Sequence, residues 1–287
     1  MNQEKIVKLL GSFEVYLKSE RVAPTTLRDY MSTARNFLSK MPNDDLDELA
    51  FRTFQANHYG GSNNTALKNH YVAASLYKSL GIPFNVHAPD PEDNPNRPTI
   101  KPDDMKLLIV AMKAGGNSTE RGLLALSSMY GLRRIELRHL ERKDINFDEQ
   151  TITIRAAKKG RIRAHLIPDC VFDFITNYDY ESKCNTDYAN IFKDMVRKSG
   201  LILDKGFGWH SIRRAVYTGL VANGVDYFIR HEFMRWRSRE LDLDLIYSQN
   251  TPAQIDTMVF ERHPFLSTWD IDFNPQAPRA MFAPGTP

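Results

Sequence analysis

The chain has 287 residues, a formal net charge of +3 and an isoelectric point of about 8.7. This length is sufficient for a substantial hydrophobic core and for two domains. No run approaches the roughly 18 apolar residues of a membrane-spanning helix, and the N-terminus lacks the basic-then-apolar pattern of a signal peptide. Two cysteines, Cys170 and Cys184, are too few for a disulfide framework or a four-cysteine zinc site. We therefore expect a cytoplasmic protein without a membrane segment.

The first 84 residues have the apolar periodicity of helices. Gly81 and Pro83 are stop signals for the last of them. These features predict a helical domain at residues 1–84. Its helices are predicted at residues 6–17, 27–41, 46–58 and 65–80.

Residues 85–98 contain four prolines and few apolar side chains, which favours an extended linker. The region that follows, residues 99–265, reads as a second domain that is mostly helical with one small β-hairpin. Residues 266–287 hold four more prolines and read as a C-terminal tail. The predicted fold class is therefore mainly α with a small β-sheet. In the second domain, strands are predicted at 150–155 and 164–168, and helices at 103–113, 118–130, 171–178, 187–198 and 210–223.

The positive charge is concentrated in two stretches of the second domain. Residues 1–98 hold 11 basic and 11 acidic side chains, whereas residues 131–163 hold 10 basic and 5 acidic ones, and residues 205–239 hold 7 and 2. A locally basic surface suits a polyanion such as DNA. Solvated helix faces have the same composition, so the charge alone leaves both interpretations open.

Five short motifs follow one another in the same part of the chain. Guanidinium groups present paired donors that match phosphate and can stabilise the charge that develops when a phosphodiester is attacked. A tyrosine hydroxyl can serve as the attacking nucleophile. Together the motifs describe a site that could hold a phosphodiester and cleave it. They read Tyr130-Gly-Leu-Arg-Arg-Ile-Glu-Leu137, Lys158-Lys-Gly160, His210-Ser-Ile-Arg-Arg214, Trp236 and Tyr247.

In order and content these motifs resemble the tyrosine recombinase (integrase) family. The Gly-Leu-Arg-x-x-Glu-Leu pattern at residues 131–137 matches at each defined position, and the helix start at residues 25–30 is similar as well. The resemblance implies a two-domain architecture, with a helical core-binding domain and an α+β catalytic domain. It also implies a site-specific recombinase that cleaves and rejoins DNA through a 3′-phosphotyrosine, without a metal ion or a nucleotide cofactor.

The resemblance assigns roles to the polar residues of the motifs. Arg133 and Arg213 would clamp the scissile phosphate, and Glu136 would support the first of them. His210 would handle a proton or a hydrogen bond, and Trp236 would pack against the phosphate or bond it. Each of these residues also fits an ordinary surface or core position when it is taken alone.

The general acid and the nucleophile are predicted from the remaining motifs. The family places a lysine in a β-hairpin, where it protonates the leaving 5′-oxygen. Lys158 is preferred because Lys158-x-Gly has the usual form, and Lys159 stays an alternative. Tyr247 is the predicted nucleophile, although it lies 11 residues after Trp236, a longer interval than the family usually has. Tyr217 and Tyr227 are nearby rivals, of which Tyr217 reads better as a core residue.

The predicted partner is double-stranded DNA, bound by a homotetramer on two DNA sites, with accessory DNA-bending proteins left open. A type IB topoisomerase or a telomere resolvase would use the same chemistry. A DNA-binding protein that does not cut is a third interpretation, but it has no need for the tyrosine. The apolar residues at 252–265 predict a segment that mediates assembly of the tetramer. The alternative is that this segment packs on the chain's own core.

Overall fold

A computed structural model describes residues 1–41, 45–57, 62–91, 97–157, 160–180, 184–236 and 250–270. The chain divides into two compact units, Met1–Pro95 and Asn96–Pro287, and the division falls inside the proline-rich segment. The described part of the first unit is helical, and the second combines helices with a small antiparallel sheet. The predicted fold class, mainly α with a small β-sheet, is confirmed.

The first unit packs four described helices around an apolar core. Pro24 begins the second helix, where a missing N–H group costs nothing, and the Ser62 hydroxyl accepts a hydrogen bond from the Thr65 N–H at the start of the fourth. Phe13, Phe51 and Tyr77 are fully buried in this core. The helices are α1 (Gln3–Ser19), α2 (Pro24–Ser39), α3 (Glu48–Asn57) and α4 (Asn63–Ser79).

The second unit is built around its second helix, which is buried over nearly its whole length. This helix begins with a reciprocal capping box between Asn117 and Glu120, and it contacts at least five other helices of the unit. The helices are α5 (Pro102–Gly115), α6 (Ser118–Tyr130), α7 (Arg134–His139), α8 (Asp169–Thr176), α9 (Asn185–Lys198), α10 (Trp209–Ala222), α11 (Tyr227–Phe233), α12 (Pro252–Phe260) and α13 (Leu266–Trp269).

The sheet has three antiparallel strands in the order β1 (Ile145–Asn146), β2 (Thr151–Arg155) and β3 (Ile162–Leu166). The predicted hairpin is present, with its second strand two residues earlier than expected, and the short β1 was not predicted. In the β2–β3 register Ile152 lies opposite His165. Both side chains are buried, so this face of the sheet combines apolar and polar groups.

The predicted tail boundary at residue 266 is wrong for the residues that the structure describes. Leu266 and Trp269 are buried in the core of the second unit. The indole Nε1 of Trp269 donates a hydrogen bond of 2.9 Å to the Ser128 hydroxyl. Burial of these two large apolar side chains draws the short helix α13 onto the core.

The apolar set at residues 252–265 also packs on the chain's own core. Ile255, Val259, Phe260 and Phe265 are buried there, and only Met258 of the set is substantially exposed. The structure therefore supports the alternative interpretation of this segment and not its use for assembly. No helix among the described residues is both long enough and apolar enough to cross a membrane.

Candidate active site

The first arginine motif lies where α6 ends and α7 begins. Gly131 caps α6 in the left-handed conformation, with φ of 57°, and a Cβ at this position would lie 2.8 Å from the Cε atom of Met234. The left-handed φ favours glycine here, whereas the Met234 methyl group is the end of a flexible side chain. Two residues later Arg133 is the N-cap of α7, so its extended backbone turns the chain into the next helix.

Glu136 is the centre of the site. Its side chain is inaccessible to solvent and accepts hydrogen bonds from the Arg133 backbone N–H at 2.9 Å and from the Arg133 guanidinium at 2.7 Å. Its Oε2 atom also lies 3.4 Å from Nη2 of Arg235 and 3.7 Å from Nη1 of Arg213. Burial alone raises the pKa of Glu136, but Arg235, the Arg133 hydrogen bonds and Arg213 outweigh it and lower the pKa.

Arg213 projects from α10 and is held by backbone carbonyl groups. Its Nη1 donates to the Gly131 carbonyl, and its Nη2 donates to the Met234 carbonyl at 3.1 Å. The carbonyl end of α6 carries the negative end of the helix dipole, which favours a cation there. The pKa of Arg213 is nevertheless lowered to about 9, first by burial and then by the charges of Arg235 and Arg133. Burial is the largest cause, and the two neighbouring guanidinium groups lower the pKa further although Glu136 raises it.

The cluster of Arg133, Arg213, Arg235 and Glu136 is called the arginine cluster below. Three guanidinium groups surround one carboxylate, so the cluster has a net charge of +2 when all four groups are ionised. The side chain of Arg133 is 21% exposed, whereas that of Arg213 is 7% exposed. The cluster is therefore positively charged, fixed in position and accessible on the Arg133 side, as an anion site requires.

His210 lies in the first turn of α10, three residues before Arg213, and its side chain is exposed. Residues three apart share a helix face, which places the imidazole beside the arginine cluster. Partial desolvation, followed by the charges of Arg213, Arg214 and Arg133, lowers the pKa of His210. The imidazole is therefore neutral at neutral pH and can accept a proton.

Trp236 stacks against Arg213. The guanidinium carbon of Arg213 lies 5.4 Å from the centre of the indole ring, a cation–π distance. The ring of Tyr217 packs against the same indole, with the two ring centroids 4.8 Å apart, and Tyr217 is partly buried. Tyr227 is about half exposed.

Three predicted site residues, Lys158, Lys159 and Tyr247, lie outside the described residues. Both neighbours of the lysine pair adjoin the arginine cluster. The Ala157 N–H donates a 3.2 Å hydrogen bond to Glu136. On the other side, a Cβ on Gly160 would lie 2.8 Å from the Arg235 carbonyl oxygen, so the absence of a side chain permits this close approach.

Sequence reasoning missed three buried residues that continue the cluster: Arg235, His165 and Asp256. Arg235 is 1% exposed, and the other two are fully buried. One signal was available in the sequence. Asp256 interrupts an otherwise apolar helix face, and a buried carboxylate needs polar partners.

The described residues contain no group of three or more His, Cys, Asp or Glu side chains placed to hold a metal ion.

One sequence relative and several solved structures are similar to this chain, although no family model matches it. Tyrosine recombinase XerA of Pyrococcus horikoshii is 25% identical over 257 residues, which cover 81% of this chain and 87% of that protein. A lambda integrase dimer (75–356) bound to a core site superposes with a TM-score of 0.64 at 15% identity, covering 83% and 96% of the two chains.

Two further structures have the same fold. XerH recombinase in a post-cleavage complex with its difH substrate has a TM-score of 0.61 at 16% identity, covering 86% and 85% of the chains. The integrase of transposon Tn1549, in complex with circular-intermediate DNA, has a TM-score of 0.61 at 15% identity, covering 85% and 96%. The architecture is thus that of recombinases and integrases. In sequence, the chain is similar to a tyrosine recombinase.

Proposed function

We propose that this chain is a site-specific DNA recombinase that cleaves and rejoins strands through a 3′-phosphotyrosine. The observation that carries the proposal is the arginine cluster. It holds three cations on one buried carboxylate, with Arg133 open to solvent. A phosphodiester supplies the missing negative charge, and its charge increases as the phosphorus is attacked. Donors that are fixed in advance stabilise that transition state most effectively.

Arg213 and Arg133 have different parts in this clamp. Arg213 is anchored by the Gly131 and Met234 carbonyls, so little reorganisation accompanies binding. Each Nη atom carries two N–H groups, which leaves donors for phosphate oxygens. Arg133 is tied to Glu136 through one Nη atom, and its more exposed guanidinium can reach a phosphate at the surface.

The chemical step needs a nucleophile and a general acid. Tyr247 would attack the phosphorus, forming a bond to its phenolic oxygen while the bond to the 5′-oxygen breaks. Lys158, or its neighbour Lys159, would donate the proton that the leaving 5′-oxygen requires. The neutral imidazole of His210 would hydrogen-bond a phosphate oxygen or accept the tyrosine proton.

Rejoining reverses these steps with a new 5′-hydroxyl as the attacking group. The phosphotyrosine conserves the energy of the phosphodiester, so no nucleotide cofactor is required. The arginine cluster and the lysine supply the positive charge that a metal ion provides in other strand-cleaving sites. We propose that cleavage proceeds without divalent metal.

The proposed partner is double-stranded DNA, and the proposed active form is a homotetramer on two DNA sites. The similar lambda integrase structures are a dimer bound to a core site and a tetramer bound to a Holliday junction, which supports this assembly. Accessory DNA-bending proteins and a location on chromosomal DNA are compatible with it. A topoisomerase-like or hairpin-forming outcome would use the same residues.

The experiment that tests the proposal traps the covalent intermediate. The full chain first selects a duplex from random-sequence DNA, and a suicide substrate is then made by placing nicks along that duplex. The expected result is a protein–DNA adduct in EDTA, with the nucleotide mapped to Tyr247 by mass spectrometry. No adduct on any nicked duplex would favour the DNA-binding protein that does not cut. Restoration of the adduct only by magnesium would contradict the metal-free mechanism.

Three tyrosine variants sharpen the assignment. Tyr247→Phe removes the nucleophilic oxygen and keeps the ring, so it should bind DNA and form no adduct. The controls Tyr217→Phe and Tyr227→Phe make the same chemical change in the helices α10 and α11, and both should form the adduct. An adduct from Tyr247→Phe would refute this nucleophile. Exchange of strands between two selected duplexes, as opposed to relaxation alone, separates a recombinase from a topoisomerase.

A further inference from the structure

Arg235 is held in a backbone conformation that arginine rarely adopts. Its φ of 58° lies in the left-handed region, where the Cβ atom makes glycine the favoured residue. The side chain is nonetheless completely buried. A conformation of this kind persists where surrounding contacts determine it, and such residues concentrate at functional sites.

Four contacts fix the Arg235 guanidinium. Nη2 donates to the Tyr130 carbonyl at 3.1 Å and lies 3.4 Å from Oε2 of Glu136. Nη1 lies 3.1 Å from the Phe233 carbonyl and 3.1 Å from Nε2 of His165. The guanidinium therefore joins the carboxylate of the arginine cluster to a histidine on β3.

The two hydrogen-bond partners of His165 fix the tautomer of its ring. A guanidinium can only donate hydrogen bonds, so Nε2 of His165 accepts and its proton is on Nδ1. Nδ1 lies 3.1 Å from Oδ1 of Asp256 and donates to it. Complete burial lowers the pKa of His165 to about 4, which keeps the ring neutral and preserves this tautomer.

Asp256 connects the histidine to α12. Its Oδ2 accepts the Leu166 N–H at 2.8 Å, and its Oδ1 is also paired with Arg163 at 2.7 Å. The carboxylate therefore ties α12 to β3 through side-chain and backbone donors. α12 begins at Pro252, five residues after the proposed nucleophile Tyr247, so this buried anchor is close in sequence to the reacting group.

We propose that Asp256, His165 and Arg235 form a positioning relay that sets the geometry of the arginine cluster for DNA cleavage. The inference rests on the proposed recombinase function and assigns these residues no contact with the phosphate. Oε2 of Glu136 accepts the Arg133 backbone N–H at 2.9 Å and lies 3.4 Å from Nη2 of Arg235, and with both of these neighbours in place Arg213 lies 3.7 Å from the same atom. Arg213 is thus kept out of a close ion pair and its donors stay available for DNA.

Removal of the relay should slow cleavage and leave DNA affinity nearly unchanged. Arg235→Gly suits the left-handed backbone, so a defect in this variant reports the loss of the guanidinium. Asp256→Asn removes one charge at nearly constant shape. For each variant the single-turnover cleavage rate on the nicked selected duplex should fall about 10- to 100-fold, less than for loss of a direct donor, with the Kd within about threefold of the wild type.

The matched control is Glu120→Gln. Glu120 is also buried in the second unit and paired with a cation, Lys198, at 2.7 Å, but its contacts lie outside the relay. This variant should cleave at the wild-type rate. Equal slowing by Glu120→Gln and Asp256→Asn would mean that any lost buried ion pair loosens the enzyme, and it would overturn the relay.

The double variant Arg235→Gly with Asp256→Asn provides a readout that a merely structural role would not give. If Asp256 acts through Arg235, the double variant should cleave within about threefold of the slower single variant. Independent effects would multiply to about 10²–10⁴-fold, and that result would overturn the relay.

His165→Asn supplies a second route should Asp256→Asn fail to fold. Its amide takes the place of Nδ1 and keeps a group for Asp256, but it is too short to reach Arg235, so the same loss of rate is expected. A wild-type rate in this variant would overturn the relay and leave the proposed recombinase function standing. Failure of the wild-type protein to form any adduct would instead overturn the proposed function, and the relay with it.

Discussion

The cores of the two units are built on different principles. Among the described residues of the first unit, His70 is the one buried polar side chain, and its neighbours are aromatic or aliphatic. The core of the second unit holds ion pairs beside its apolar residues. Its buried charged and imidazole side chains include Glu120, Glu136, Asp144, Arg163, His165, Arg213, Glu232, Arg235, Asp256 and His263.

The two kinds of core have different roles, because the apolar core stabilises the fold and the charged core prepares a site for chemistry. A fully buried large apolar side chain contributes about 1.5–3 kcal/mol, whereas each buried ion costs several kcal/mol in desolvation unless partners compensate. The second unit compensates through the C-terminal end of α6. The carbonyls of Tyr130 and Gly131 accept arginine donors, and that of Met129 contacts His263. The result is a positive site whose donors are fixed before a substrate arrives.

The largest expected effect is the salt dependence of DNA binding, which tests the excess positive charge of the second unit. Binding of the full chain to its selected duplex should weaken by about 10³–10⁵-fold between 50 and 200 mM salt if roughly 6–10 phosphates are contacted. The basic stretches 131–163 and 205–239 would supply most of these contacts. A fluorescence-anisotropy titration over this salt range measures the slope. A flat response would show that the excess charge of the second unit is not a DNA surface.

Phe51→Ala tests the apolar core of the first unit. Phe51 is fully buried and packs edge-on against Phe37, with ring centroids 5.6 Å apart. Its truncation should lower the free energy of unfolding of this unit by about 3–5 kcal/mol, measured by urea denaturation. Below the unfolding transition, with saturating DNA, the cleavage rate should stay close to that of the wild type. A large loss of cleavage rate in the folded variant would show that the apolar core of the first unit affects the chemical step as well as stability.

Arg213→Ala tests the charged core of the second unit. Loss of one fixed donor to the transition state should raise the cleavage barrier by about 2.7–4 kcal/mol, or about 10²–10³-fold in rate. Single-turnover cleavage with saturating folded protein measures it. Arg214→Ala is the matched control, because this adjacent arginine bonds the Pro98 carbonyl and not the arginine cluster. Equal defects in the two variants would argue that charge near α10 matters and that the clamp geometry does not.

Trp236→Phe should have the smallest effect of the four. The ring contact with Arg213 survives in phenylalanine but is weaker, and cation–π contacts are worth about 0.5–2 kcal/mol. The cleavage rate should therefore fall by about 2- to 30-fold, with little change in DNA affinity. Complete loss of cleavage would mean that the indole N–H acts on the phosphate directly, as one form of the sequence prediction allows.

Local patterns predicted most of the fold, because helix periodicity and stop signals act over a few residues. The bounds of α3 and α4 lie within two residues of those predicted at each end. The tail boundary failed because the prolines of residues 266–287 dominated the composition, while the burial of Trp269 depends on contact with Ser128, 141 residues earlier in the chain. The short β1 has too few residues for any alternation to be visible.

The β3 strand shows where a local pattern misleads. Its apolar residues Ile162 and Ala164 are exposed, and its polar residues Arg163 and His165 are buried. Hydrophobicity alone would turn the opposite face inward. The observed face is stabilised by Asp256, about 90 residues later, whose carboxylate pairs with both buried side chains.

The sequence by itself determined the mainly helical architecture, the family resemblance and the motif residues Arg133, Glu136, His210 and Arg213, because these depend on short-range periodicity and on residue types required by phosphate chemistry. Only the tertiary structure decided that Arg235, rather than a residue of the motifs, completes the set of cations on Glu136. Its guanidinium reaches a carboxylate 99 positions away, and the net free energy of such a buried contact depends on desolvation and on partners that meet only when the chain has folded.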